Sequence, residues 1–452
     1  MNPLVFREYD IRGVANRDLG DDFTRDLGRA IGTLLRRRGQ QRIALGRDCR
    51  LSSDRLHARL REGLLETGTD LVDIGVGPTP MVYFTVFHAD LDGGVQITGS
   101  HNPPQDNGFK IMSGKQTLAG DEIRQLRELI EKRDFELPGG GHSERLDPLP
   151  AYRGYMRGNF QFARSDLRFA VDAGNGAGGP VALSAMRELG LDPVAMFCEM
   201  DGNFPNHHPD PSQPENLEAL KQRIAQDGLE LGIALDGDAD RIGLIDERGT
   251  VVWGDRLMIL LSRHILARHP GAAILGEVKC SQTLYDDIAE RGGRPIIWKT
   301  GHSLIKKKMK EESALLAGEM SGHIFFADRY FGFDDAVYAA LRVLEIVAES
   351  GQSLSTLLED VPQTHATPEL RVECSDESKF KIVDRVLSHY KSSHDVLDVD
   401  GARIRFEDGW GLVRASNTQP ALVLRFEAES PESLHAMRTE VEAVVHNAQQ
   451  AL

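Results

Sequence analysis

The chain has 452 residues, more than one hydrophobic core usually supports, so several domains are expected. Its formal charge of -16 argues against nonspecific binding to nucleic acid or an anionic membrane, while leaving room for a local pocket that binds a small anion. The cysteines Cys49, Cys198, Cys280 and Cys374 are isolated, which argues against a zinc ribbon or a disulfide framework and points to a reducing cytoplasm.

The opening MNPLVFREYDIRG lacks the basic-then-apolar pattern of an export signal, and no apolar run reaches the roughly 20 residues of a spanning helix. A helix is expected from about Asp21 to Arg38, with Phe23, Leu27, Ile31 and Leu34 on one face and acidic residues at its start. The strand Arg42 to Leu45 follows, then GRDCR. Ser52 or Ser53 is expected to cap a second helix that turns Leu56, Leu60, Leu64 and Leu65 inward. Asp70 to Gly75 reads as another strand, and Val95-Gln96-Ile97 as a buried one. This alternation predicts a mainly parallel, layered sheet.

Just past that strand comes TGSHNPP, Thr98 to Pro104, where the proline pair ends any regular structure. Ser100 therefore sits on a stiff loop beyond a strand's carboxyl end, where open α/β sheets keep their chemistry, and reads either as a nucleophile or as a turn residue. His101 adjoins it, and in extended backbone its side chain points away from that of Ser100.

After the helical segment Asp121 to Lys132, Gly139-Gly140-Gly141 marks a linker. The strand starting at Phe169 runs into GNGAGG, which matches neither a dinucleotide fingerprint nor a Walker loop and reads as tight strand-to-helix packing rather than a phosphate cradle. FPNHHPDPSQP, Phe204 to Pro214, reads as a rigid interdomain loop, because adjacent His207 and His208 side chains diverge in extended backbone. Next, Asp236, Asp238 and Asp240 alternate through DGDADR between two apolar strands. Three neighbouring carboxylates repel unless a cation neutralises them, and oxygen ligands select a hard divalent ion. An EF-hand is excluded, since Arg241 replaces the sixth-position glycine and the flanks are strands. A solvated acidic turn is the competing reading.

A third β/α series holds a helix from about Asp255 to Arg268, a strand at Ala273 to Leu275 with Lys279 in the following turn, and Trp298 to Ser303 entering a helix. The lysines Lys306, Lys307 and Lys308 read as a solvated face. GEMSGH, Gly318 to His323, clusters acceptors and switchable donors suited to sugar hydroxyls, and near-neighbours there rarely form a nucleophilic triad. From about Pro362, strands at Ala402 to Phe406, Gly411 to Arg414 and Leu422 to Phe426, with a helix from Pro431 to about Ala448, predict an antiparallel sheet with helices on one face. RASNTQP, Arg414 to Pro420, suits a phosphate clamp or a plain hairpin turn.

TGSHNPP, DGDADR, GEMSGH and RASNTQP, in that order, resemble the α-D-phosphohexomutase family, most closely its bacterial phosphomannomutase/phosphoglucomutase type. The resemblance runs from YDIRG to the last helix. It implies three mixed, mainly parallel β/α layered domains and a C-terminal α+β domain around a central cleft: residues 1–148 bearing the phosphoserine, 149–250 the metal, 251–363 the sugar and 364–452 the phosphate. It implies that Ser100 carries a phosphoryl group and completes a Mg2+ site with Asp236, Asp238 and Asp240. Arg241 and Lys110 are the cations beside the moving phosphate, and Lys110 and His323 the candidates for proton transfer, with His101 as loop support. Glu319, Ser321 and His323 would hold sugar hydroxyls, Arg414, Ser416, Asn417 and Thr418 the second phosphate, and Tyr9, Arg12, Lys279 and His302 the rest of the substrate.

The implied reaction moves a phosphoryl group between the 1 and 6 positions of glucose or mannose phosphates, with glucose 1,6-bisphosphate as intermediate and activator. A cytoplasmic monomer with neither nucleic-acid nor membrane partners is expected. Gln419 departs from the family's usual acidic or small residue. Phosphoglucosamine mutase, a noncatalytic sugar-phosphate sensor and a metal-dependent phosphatase are the competing functions. The sensor reading has no need of Ser100 together with an intact aspartate triad.

Overall fold

The computed structural model describes residues 2–416 and 420–451. Among them four sheets follow one another along the chain. In the first, seven-stranded sheet, Arg42–Arg47 pairs in parallel with both Asp70–Val76 and Gly93–Ile97, while Asp106–Ser113 runs antiparallel between Gly93–Ile97 and Ile11–Val14. The second places Phe169–Asp172 parallel to Leu231–Leu235, which pairs antiparallel with Ile242–Asp246. The third centres on Ala273–Glu277, parallel to Arg294–Trp298 and Leu316–Gly318. In the last sheet the pairings among the described residues are all antiparallel, and the helices Lys379–Tyr390 and Pro431–Gln450 pack with its apolar residues. The expected architecture of three mixed layered domains and an antiparallel C-terminal domain is therefore observed.

Local rules explain most elements. The helix Asp21–Arg37 opens on Asp21 and Asp22 and closes on Arg36 and Arg37, matching its dipole, and buries Leu27, Ile31, Leu34 and Leu35. Ser52 and Ser53 do not cap the next helix, Ser53–Glu66, with their side chains. Their hydroxyls accept from Asn107 Nδ2 at 2.9 Å each, and Ser53 Oγ donates to Asp48 Oδ1 at 2.5 Å, so they serve the Ser100 loop's foundations instead. The glycines after residue 138 do not free the chain either. Gly139 N donates to Glu66 O, and Ser143–Arg145 adds a parallel edge strand to the first sheet.

The helix Thr79–His88 was not marked by any amphipathic period, because it is apolar nearly all round. Eight of its ten residues, Thr79 through Val86, are buried, and Met81, Val82, Tyr83 and Phe84 join a core that continues through the second and third sheets. It thereby ties the first domain to the other two, and its first residue reaches the metal-type loop. No helix among the described residues is long and apolar enough to cross a membrane.

Candidate active site

Three loops leave the carboxyl ends of central strands and meet: 98–105 after Gly93–Ile97, 236–241 after Leu231–Leu235, and 319–323 after Leu316–Gly318. Arg50 props the first. Buried and charged, it donates to the carbonyls of Ser100 at 2.7 Å, Asn102 at 2.6 Å, Pro103 at 2.6 Å and Asp106 at 3.0 Å. Gly99 is required because a Cβ there would lie 2.6 Å from the Arg50 guanidinium carbon. Ser100 itself adopts a left-handed φ of 49°, a conformation unusual for serine.

That turn overrides the extended-chain expectation for His101. Its Nδ1 lies 3.1 Å from Ser100 Oγ, so the two side chains converge. Burial, reinforced by Arg241, Arg12 and Lys110, pushes the His101 pKa well down and keeps the ring neutral. His101 is thus a direct neighbour of the hydroxyl rather than loop support.

Ser100 Oγ also donates to Asp236 Oδ2 at 2.8 Å. The two loops touch through main chain, since a Cβ on Gly237 would strike the Ser100 carbonyl oxygen. Asp236 Oδ1 closes its own loop by accepting from the N–H groups of Asp240 at 3.1 Å and Arg241 at 3.2 Å. GNGAGG serves packing here: a Cβ at Gly176 or Gly178 would collide with Gly237 or Ala239.

Asp236, Asp238 and Asp240 are wholly buried, and one ligand oxygen from each lies within 4.8 Å of the others. Lys110 Nζ pairs with two of them, 2.7 Å from Asp238 Oδ2 and bonded to Asp240 Oδ2, while Thr79 Oγ1 donates to Asp238. Burial and the two companion carboxylates push the Asp236 pKa well up. Burial acts the same way on Asp238, but Lys110 outweighs it and holds that carboxyl ionised. Lys110 stays charged because these carboxylates overcome its own burial. Asp238 Oδ1 and Asp240 Oδ1 are buried without a hydrogen-bond partner. Two orphaned oxygens within a cluster of three carboxylates are the donor set of a hard divalent ion, so these residues fit a metal.

Arg241 Nε donates to His323 Nε2 at 2.9 Å, joining the second and third loops. His323 stacks on His302 with ring centroids 5.7 Å apart, and His302 meets Tyr9 edge-on at 6.1 Å. Tyr9 Oη donates to Thr300 O, and Glu319 Oε1 accepts from Gly301 N at 2.6 Å. Arg12 grips Asn102 Oδ1 at 2.8 Å and Asp10 at 2.7 Å. Ser321 lies half-buried on the same loop as Glu319.

Two predicted cations face carboxylates of the last segment. Lys279 Nζ is 2.7 Å from Glu369, and Arg414 is 3.0 Å from Asp400, whose carboxylate also accepts from Thr300 N at 3.1 Å. Ser416, two residues after Arg414, is buried, while Asn417 and Thr418 lie outside the described residues.

Lys306 is not part of a solvated face: it bonds to buried Asp334 at 3.1 Å and lies 4.4 Å over the Tyr83 ring. Lys308 rests on Trp298, and Lys307 alone of the three is exposed. Sequence reading missed Arg50, Thr79 and Asp334. Asp334 had a signal, since FGFDDAVY carries two aspartates before a helix and one suffices as its cap. Asp335 is that cap, accepting from Tyr338 N at 2.9 Å.

Comparison with known proteins bears on the domain order and the fold. Residues 3–137, 152–249, 253–365 and 369–444 match, in turn, domains I, II and III and the C-terminal domain described as phosphoglucomutase/phosphomannomutase. A phosphomannomutase/phosphoglucomutase of Pseudomonas aeruginosa is 44% identical over 96% of this chain and 94% of its own length. A phosphoglucomutase of Neisseria gonorrhoeae is 42% identical over 98% and 97%. The crystal structure of a phosphoglucomutase/phosphomannomutase family protein from Burkholderia thailandensis superposes with a TM-score of 0.94 at 40% identity, covering 99% of this chain and 98% of that one. The fold is shared with an Aspergillus fumigatus N-acetylphosphoglucosamine mutase in complex with GlcNAc-6P and magnesium, at 16% identity and a TM-score of 0.60, over 97% of this chain and 94% of that one.

Proposed function

The chain belongs to the α-D-phosphohexomutase family, as an isomerase that moves a phosphoryl group between the 1 and 6 positions of hexose phosphates, and we propose that it does so through Ser100. Phospho-Ser100 gives its phosphoryl group to the free hydroxyl of a hexose 1- or 6-phosphate. The P–O bond to serine breaks as the new one to the sugar forms. Glucose 1,6-bisphosphate, or its mannose counterpart, then turns over in the site and returns its other phosphoryl group to Ser100. The observation that carries this reading is the hydroxyl of Ser100 set 2.8 Å from the first of three buried carboxylates.

Phosphoryl transfer depends on placement and charge neutralisation more than on covalent activation. Asp236, Asp238, Asp240 and the Ser100 phosphate would hold Mg2+, which when bound supplies positive charge to the transferring group. That ion is also the one named with the Aspergillus mutase. Lys110 and Arg241 add fixed positive charge. Lys110, held protonated, donates to the leaving oxygen, and His323 takes the proton of the attacking sugar hydroxyl at Nε2, whose lone pair accepts from Arg241 until the substrate displaces that contact. Glu319, Ser321 and His323 read the sugar hydroxyls. Arg414, Ser416, Asn417 and Thr418 clamp the phosphate that stays, and Tyr9, Arg12, Lys279 and His302 frame the ring. Residues 1–148, 149–250, 251–363 and 364–452 would thus supply the carrier, metal, sugar and phosphate functions in turn.

The reading is tested by Ser100→Ala in a coupled assay on glucose, mannose and glucosamine 1-phosphates. Loss of glucose and mannose phosphate turnover is expected, and near-normal rates in the variant contradict it. Preference for glucosamine 1-phosphate in the unmutated enzyme would make it a phosphoglucosamine mutase.

A further inference from the structure

Asp334 lies outside the four motifs, is wholly buried, and is the meeting point of three nitrogen groups. Lys306 Nζ reaches its Oδ1 at 3.1 Å. His323 Nδ1 stands 3.0 Å and His302 Nδ1 3.9 Å from its Oδ2. Its neighbour Asp335 points the other way, to the helix N-terminus and the hydroxyls of Tyr152 and Tyr330, so capping does not explain Asp334.

The proton on His323 is fixed by its other nitrogen. An arginine Nε–H can only donate, so at 2.9 Å from Arg241 Nε the His323 Nε2 must present a lone pair. In a neutral ring the proton is then on Nδ1, 3.0 Å from Asp334 Oδ2 and 3.7 Å from Asp240 Oδ1 in ion-pair contacts, Nδ1 and Oδ2 both being buried and otherwise without a hydrogen-bond partner. The ring has little freedom to turn, being sandwiched between His302 and Phe325 with centroids 5.7 and 6.3 Å away.

We propose that Asp334 is a positioning residue for phosphoryl transfer: it fixes the His323 tautomer and, through Nε2, the guanidinium of Arg241. This rests on Arg241 being a cation beside the moving phosphate. A carboxylate that orients a histidine while the far nitrogen engages the working group is a recurring device. Here it links loops of two domains, because Arg241 and His323 also pair through an isolated main-chain bridge. Asp240, His323 and Asp334 also bring their ligand atoms within 4.8 Å of one another. A cation there would need a bare Nδ1. The proton would then sit on Nε2 and oppose the Arg241 N–H, so the orienting role is the one consistent with both contacts.

The decisive measurement is a long-range proton–nitrogen correlation of the imidazoles in full-length enzyme carrying nitrogen-15 histidine, with and without added Mg2+ or Zn2+. Protonated Nδ1 and bare Nε2 on His323 are expected. The reverse tautomer, or loss of the Nδ1 proton on adding either ion, overturns the proposal whether or not Arg241 is catalytic. In kinetics, Asp334→Asn should lower kcat about thirtyfold with KM within about threefold, and in a His323→Gln background should cost less than about twofold further. Additive losses, or a raised KM at unchanged kcat, overturn it. Should Asp334→Asn fail to fold, the measurement on the unmutated enzyme still decides.

Discussion

Around Ser100 the charges are buried and negative in excess: three buried carboxylates face Lys110, and Arg50 holds the serine loop by four carbonyls. Around Arg414 and Lys279 they are matched by borrowed partners, Asp400 and Glu369, in contacts that a phosphate group would have to replace. The first arrangement suits a group that stays on the protein through every cycle. The second suits one that arrives and leaves. Carboxylates standing against binding-site cations keep those cations paired while no ligand is bound, so phosphate exchanges one anion for another instead of entering an unpaired field.

The comparison breaks most sharply on metal removal. Chelation by EDTA should abolish turnover in the coupled assay and Mg2+ should restore it. Full activity without divalent ion would mean that Lys110 alone suffices as the counter-charge. A smaller loss is expected from Gly237→Ala, whose new methyl meets the Ser100 carbonyl. Overpacking between two main chains costs roughly 1–3 kcal/mol, so the melting temperature should fall along with kcat. On the other side of the site, Glu369→Gln removes one of the two carboxylates that Lys279 faces, the other being Glu277 at 3.5 Å, and should lower KM for glucose 1-phosphate about threefold with kcat nearly unchanged, the size of one partly screened ion pair. A higher KM would show that Glu369 orients Lys279 for the substrate.

The smallest effect is on stability. Burial pushes the Asp335 pKa up to about 6, partly offset by the Tyr338 N–H and the Tyr330 and Tyr152 hydroxyls. The ordinary carboxyl value is about 3.9, so between these values the folded chain holds a proton that the unfolded chain releases. The contribution of this group to stability therefore declines as pH rises through that window, and its cost is complete above it. Asp335→Asn, which keeps the cap, should gain on the order of 2 kcal/mol over the unmutated chain at pH 7.5, with the difference vanishing near pH 4. Urea unfolding at the two pH values measures it, and a difference independent of pH would contradict the assignment.

Much of the site was legible in the letters because its loops follow buried strands and combine residue types with few other uses. Asp236, Asp238 and Asp240 announced a carboxylate cluster able to hold a cation by spacing alone, and the strands on either side, Leu231–Leu235 and Ile242–Asp246, lie where their apolar runs predicted. What escaped was set by the third dimension. Thr79 and Tyr83 lie on a helix apolar nearly all round, which shows no period to read. Arg50 is an unremarkable residue in GRDCR until the chain folds over it. His101 was misplaced because a single left-handed residue, Ser100, turned two neighbouring side chains together. Lys306 was lost within a run of three lysines whose helix faces differ.

The central claim is that Ser100 carries the phosphoryl group. Incubation with glucose 1,6-bisphosphate, then intact and peptide mass measurement, tests it directly. The account predicts one added phosphoryl group, on Ser100, that is absent from Ser100→Ala and is lost when excess hexose phosphate is supplied. Phosphate on another residue, or an unmodified chain that turns over at full rate, would contradict it.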